Sequence, residues 1–176
     1  REDYFINGLG EENPEWDPYK SVVGTMRYVQ RNISYDDIAL FKTFPITMRL
    51  EYEGLPALRL CHGSPKKSND CLYKMDKEYI SSIEEDFILC GHTHKVTDLF
   101  ISGKRIINPG SVGMPLDGKK MARIVFLTSN DSSWDVKFIA LPYDVESEIA
   151  HMYKEGLPYL APVWTMITEH LLSGGT

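Results

Sequence analysis

Three of the five histidines stand where apolar runs stop abruptly. In LRLCHGSP and FILCGHTH, residues suited to a buried strand end at a His-Gly or Gly-His pair, giving His62, His92 and His94. Side chains at the carboxyl end of a buried strand are held by the sheet yet open onto a crevice where ligands bind. Adjacent glycine permits the sharp turn that follows. In an extended GHTH segment, His92 and His94 would project to the same side. Neutral imidazole suits Zn, Fe, Mn or Ni, and a His-x-His pair either chelates one cation or straddles two. His62 taken alone fits a merely polar strand end equally well. His151 and His170 lie on helical patterns, where surface ion pairing with Glu148 or Glu155 explains His151 more simply than a metal.

A third segment, NPGSVGMP, follows the apolar run Arg105 to Ile107. By itself it is a rigid turn. Its position after GHTH gives it interest, since Gly110 and Gly113 would let backbone N–H groups face inward and Ser111 offers a hydroxyl. Between the first two motifs, Ser64 to Lys77 is polar. Lys66 and Lys67 in that stretch could meet a phosphate, although a charged loop is usually only solvated.

The elements that must position these residues follow from pattern and punctuation. Ser34, followed by Asp36 and Asp37, predicts a helix over 34–42, and a second helical pattern precedes it over 21–29. Residues 46–52 and 57–61 form a predicted hairpin, as do 97–101 with 105–107 and 122–128 with 134–141. Phe87 to Cys90 has the wholly apolar character of a buried strand. Further helices are expected over 78–85, 144–153 and 162–172. The order predicts one mixed α/β (α+β) domain over residues 1–176, with residues 19–44 as a helical, cap-like segment.

Composition narrows the function classes. The 176-residue chain is 43% hydrophobic and 25% charged, with formal net charge -6. No run of Lys or Arg exceeds two residues, which argues against a broad nucleic-acid or acidic-lipid footprint. A bound cation would still allow an anionic substrate. Cys61, Cys71 and Cys90 follow no metal-binding spacing; their odd number and the absence of an apolar leader or membrane span predict a cytoplasmic protein. Tyr153, Leu157, Tyr159 and Trp164 form an aromatic-rich patch, read first as packing and second as a homo-oligomer contact.

Together, CHGSP, CGHTH and NPGSVGMP resemble the motifs of calcineurin-like metallophosphoesterases, closest to the compact bacterial and archaeal phosphodiesterase branch that includes diadenosine tetraphosphatase-like enzymes. The resemblance spans about Ala57 to Tyr143. It implies a four-layer α-β-β-α sandwich whose N-terminal part is missing here, with two divalent metal ions, Mn before Fe, Zn or Ni. His62 and His92 resemble ligands of the second ion. His94 resembles a ligand of the first whose surroundings help to place substrate, and it is the catalytic candidate. Lys66, Lys67 and Ser111 are candidate substrate contacts.

Two cations roughly 3.5–4 Å apart could activate a hydroxide for in-line attack on a phosphoester or nucleotide. The family's Asp-x-His, Gly-Asp and Asn-containing motifs do not occur intact in the sequence. Arg1-Glu2-Asp3 resembles the end of the Asn-containing motif, with Arg1 where many relatives carry a catalytic histidine, as in diesterase-type members. The expectation is therefore a phosphodiesterase whose isolated chain is inactive. The alternative is a metallophosphoesterase fold kept as a protein-binding scaffold.

Overall fold

The computed structural model describes residues 28, 29, 31–157, 169 and 173. Its strands are β1 (Thr47–Leu50), β2 (Leu58–Cys61), β3 (Phe87–Leu89), β4 (Thr97–Ile101), β5 (Lys104–Asn108), β6 (Met121–Asn130) and β7 (Ser133–Pro142). Its helices are α1 (Tyr35–Phe41), α2 (Lys77–Ser82) and α3 (Val145–Lys154). Most of the helix expected over 21–29, and nearly all of that expected over 162–172, lie outside the described residues.

Turn chemistry sets the hairpins. Ser102 and Gly103 both have positive φ, 52° and 81°, and join β4 to β5 through the pair Ile101 and Lys104. This is the two-residue turn whose twist matches a right-handed hairpin. β1 pairs antiparallel with β2, and β6 pairs antiparallel with β7 along their whole length. The expected hairpins therefore form, with boundaries close to those read from the pattern.

Pairing distant in sequence produces the sheet. Its order is β1-β2-β3-β5-β4, and the central β2, β3 and β5 run parallel. Their carboxyl ends, at Cys61, Leu89 and Asn108, consequently share one edge. The architecture is mixed α/β with a mixed sheet, as the sequence predicts.

One face of this sheet carries the core. Ile88 and Cys90 of the β3 segment pack with Ile106, Leu72, Ile80 and Ile83. Ile80, Ile88 and Ile106 are fully buried, each contributing about 1.5–3 kcal/mol of apolar transfer free energy. Asp76 caps α2 by accepting from the Tyr79 amide, which fixes how Ile80 meets the sheet. The separate β6–β7 ribbon is tied to the β1–β2 hairpin by Trp134, whose Nε1 donates to the Pro56 carbonyl at 2.8 Å. The Trp134 ring meets Tyr52 edge-on at 5.4 Å.

Ion pairs secure the opposite, amino ends of the strands. Arg59 donates to both oxygens of Glu85, at 2.8 and 2.6 Å, and the Glu85 side chain is fully buried. Burial would raise the Glu85 pKa, but the Arg59 hydrogen bonds, a backbone hydrogen bond and the charges of Arg59 and Arg49 together outweigh it and hold the carboxyl below its ordinary range. Arg105 forms a similar fork with Asp98.

The residues Pro45–Tyr143 form one unit that holds every described strand, whereas α1 and α3 belong to a second unit. In that second unit, Ser34 and Asp37 make the reciprocal capping box of α1. Asp144 caps α3, which buries Val145, Ile149 and Met152 on one stripe. The cap-like segment over 19–44 lies only partly within the described residues. No described helix is long and apolar enough to cross a membrane.

Candidate metal centre

The common edge of β2, β3 and β5 gathers the three sequence motifs. His62 follows β2 directly, and the Gly91 amide donates to its carbonyl at 2.7 Å. That bond carries the parallel pairing of β2 and β3 past the last strand residues. It places His92 beside His62, with ring centroids 5.5 Å apart and planes at 70°. His62 is exposed and His92 half-buried.

The GHTH segment is not extended. His92 has φ 66° and His94 φ 58°, and with Ser102 they are the only described non-glycine residues at positive φ. Thr93 N–H donates to the Gly91 carbonyl at 2.7 Å, closing a γ-turn centred on His92. Left-handed backbone at a residue other than glycine costs on the order of 1–3 kcal/mol, and such strain clusters at functional sites. Period-two alternation does not apply in this conformation, so the expectation of an extended segment is corrected. The His92 ring meets His62, whereas His94 Nδ1 lies 3.1 Å from the Met114 carbonyl of the NPGSVGMP loop.

Asn108, fully buried at the end of β5, joins these pieces. Its Nδ2 donates to the Gly91 carbonyl at 2.6 Å and to Thr93 Oγ1 at 3.1 Å. Its Oδ1 accepts from the Gly110 amide at 2.9 Å. In the sequence this asparagine reads only as part of a turn. The available signal was a polar residue closing an apolar strand between two histidine motifs and a glycine.

The NPGSVGMP loop is held over the sheet end. Gly110 has φ 96°, and a Cβ there would stand 3.0 Å from both Val96 and Arg123 side-chain carbons. Ser111 Oγ accepts from the Met114 amide, and the Ser111 carbonyl accepts from the Arg123 amide. Arg123 is ion-paired with Asp117. The Leu116 amide donates to the His94 carbonyl, completing the link between this loop and GHTH.

The loop after His62 is equally constrained. A Cβ on Gly63 would lie 2.5 Å from the Ser68 carbonyl and 2.7 Å from the Asp70 backbone, so close approach requires glycine. Buried Ser64 donates to Asp70 and accepts from the amides of Lys66 and Lys67. The Lys66 ammonium stands 3.8 Å above the Tyr79 ring. Lys67 enters the described contacts through its backbone.

Cys61 and Cys90 flank the histidines but are poor donors, because burial pushes their thiols up to about 11 and about 12. All three cysteines are free. Among the described residues, no three His, Cys, Asp or Glu side chains form a group that could hold a metal ion. The imidazoles of His62 and His92 fit part of a divalent site, and among the described residues no carboxylate joins them to complete it.

A sheet whose parallel carboxyl ends carry CHG, GHTH and NPGSVG defines the class. Residues 6–131 match the calcineurin-like phosphoesterase superfamily domain, and the chain belongs to that family of metal-dependent phosphoester hydrolases. The fold is similar to that of a hypothetical protein from Pyrococcus horikoshii, with TM-score 0.71 and 20% identity over 99% of this chain and 71% of that one. It is also similar to a metallophosphoesterase from Sphaerobacter thermophilus, with TM-score 0.66 and 20% identity over 98% of this chain and 74% of that one. No curated protein sequence matches the chain.

Proposed function

We propose that this chain is the histidine-bearing part of a phosphodiesterase-type metallophosphoesterase, in which His62 and His92 are neutral ligands of one divalent cation and His94 belongs to the side of a second. The observation that carries the reading is the 5.5 Å approach of the His62 and His92 rings. It joins two imidazoles of the kind borderline cations select, at the carboxyl ends of adjacent parallel strands. A bound cation, Mn by preference, would polarise a phosphoryl oxygen and acidify water.

The chain's own groups would orient a small phosphoester or nucleotide. Ser111 can donate its hydroxyl proton while accepting the Met114 amide. Lys66 could exchange its contact with the Tyr79 ring for a phosphate oxygen. The three free thiols support a reducing, cytoplasmic setting.

No Asp-x-His or Gly-Asp occurs in the sequence, so carboxylate ligands of that kind are missing from the chain and by itself it is inactive. The test is hydrolysis of bis-p-nitrophenyl phosphate with added Mn(II). The chain alone gives no turnover above the metal blank. Fusion to a segment supplying Asp-x-His and Gly-Asp restores turnover, and His92→Ala in the fusion removes it. A fused protein that binds Mn(II) without metal-dependent hydrolysis would sink the enzyme reading in favour of a protein-binding scaffold.

A further inference from the structure

We propose that Asn108 is the positioning residue that fixes His92 beside His62. Its use in metal binding rests on the reading of His92 as a ligand, whereas its effect on geometry does not. Its amide brackets the γ-turn from both sides, donating to the Gly91 carbonyl at 2.6 Å and to Thr93 Oγ1 at 3.1 Å. His92 is the residue between them. The Gly91 carbonyl thus accepts two hydrogen bonds, one closing the turn from Thr93 and one anchoring it to β5. Gly91 is anchored to the other side as well, through its amide on the His62 carbonyl.

The orientation of the Asn108 amide is dictated by its partners. Reversed, it would set its NH2 against the Gly110 N–H and its oxygen against the Gly91 carbonyl. Full burial removes water as a substitute partner. A turn at positive φ persists only where its surroundings over-determine it, and Asn108 supplies that determination from a core strand. Aspartate keeps the acceptor for Gly110 but has no donor for Gly91 or Thr93. Alanine has neither. A ligand held in this way by outer partners binds with its orientation already set, and losing such partners typically weakens metal affinity about 10- to 100-fold.

The experiment uses the full chain, with amide exchange and ring-to-ring nuclear Overhauser contacts as readouts besides metal binding. In Asn108→Ala, the Thr93 amide should exchange about tenfold faster or more, and the His62–His92 ring contact should weaken. The Ile88 and Ile106 amides should keep their protection. Thr93→Val removes one acceptor of Asn108, together with the Thr93 side-chain contact to Tyr73, without opening the core. With Tyr73→Phe as its control, it decides the matter if Asn108→Ala does not fold. It should shift the same readouts in the same direction by less, and Tyr73→Phe should not shift them. Unchanged Thr93 exchange and ring contact in a folded Asn108→Ala, or in Thr93→Val if the alanine variant does not fold, would overturn the proposal. In parallel, Mn(II) affinity should fall about 10- to 100-fold in Asn108→Ala. If wild type takes up no Mn(II) while the variants still loosen the turn, the metal reading fails and the positioning role stands.

Discussion

The rings of His62 and His92 meet edge to face at 5.5 Å, although they belong to the ends of different strands. The contact depends on parallel pairing of β2 with β3, extended by the Gly91 amide on the His62 carbonyl. Both side chains retain contact with solvent, so their chemistry is separable from the stability of the core.

His62→Ala, at an exposed position outside the core, should change stability by less than about 0.5 kcal/mol, whereas His92→Ala, at positive φ, should cost more. Added Mn(II) should raise the wild-type Tm by mass action and leave the Tm of either variant unmoved. Thermal scans with and without the metal check both statements.

Arg59→Ala should be far more damaging. It leaves the fully buried Glu85 carboxylate with a backbone hydrogen bond and, of its two arginines, the 3.4 Å approach of Arg49, at a cost of about 3 kcal/mol. The sign with pH follows from the lowered Glu85 pKa. Its stabilisation is present above the ordinary carboxylate value of about 4.3 and is lost as pH falls through the lower folded value. Urea midpoints measured from pH 7 downward should therefore drop below about pH 4.3 in wild type, with that part of the pH dependence missing from Arg59→Ala.

Thiol modification should separate the cysteines. With their pKa values raised to about 11 and about 12, Cys61 and Cys90 should react slowly with iodoacetamide at pH 8. Native protein should be labelled first at Cys71, and all three cysteines should react after denaturation. Peptide mapping of the alkylated chain reads the order.

Gly63→Ala should destabilise the chain by about 1–3 kcal/mol, because the new methyl meets the backbone of Ser68 and Asp70 rather than movable side-chain ends. Gly54→Ala provides the contrast: open space surrounds that position, and only its φ of 77° opposes the change. Chemical denaturation of the two variants should rank Gly63→Ala as the worse.

The hairpins and capped helices were legible because local chemistry determines them. Ser102-Gly103 specifies a tight turn, and Ser34 with Asp37 specifies a helix start. The histidine motifs were legible because apolar runs break off at glycine. The parallel alignment that joins His62 to His92 was not, since it depends on pairings distant in the chain. Nor was the γ-turn at His92, since one of the residues whose hydrogen bonds hold it, Asn108, is distant in the chain. The buried Arg59–Glu85 fork was hidden for the same reason, because neither residue lies in a local pattern that names its partner.

The central claim, that His62 and His92 hold a divalent cation, is tested most directly by titrating the full chain with Mn(II) while observing its imidazole resonances. The signals of His62 and His92 should broaden first and together, ahead of those of His151 and His170. Broadening that favours His151 or His170, or that spares His92 while His62 is affected, would contradict the claim.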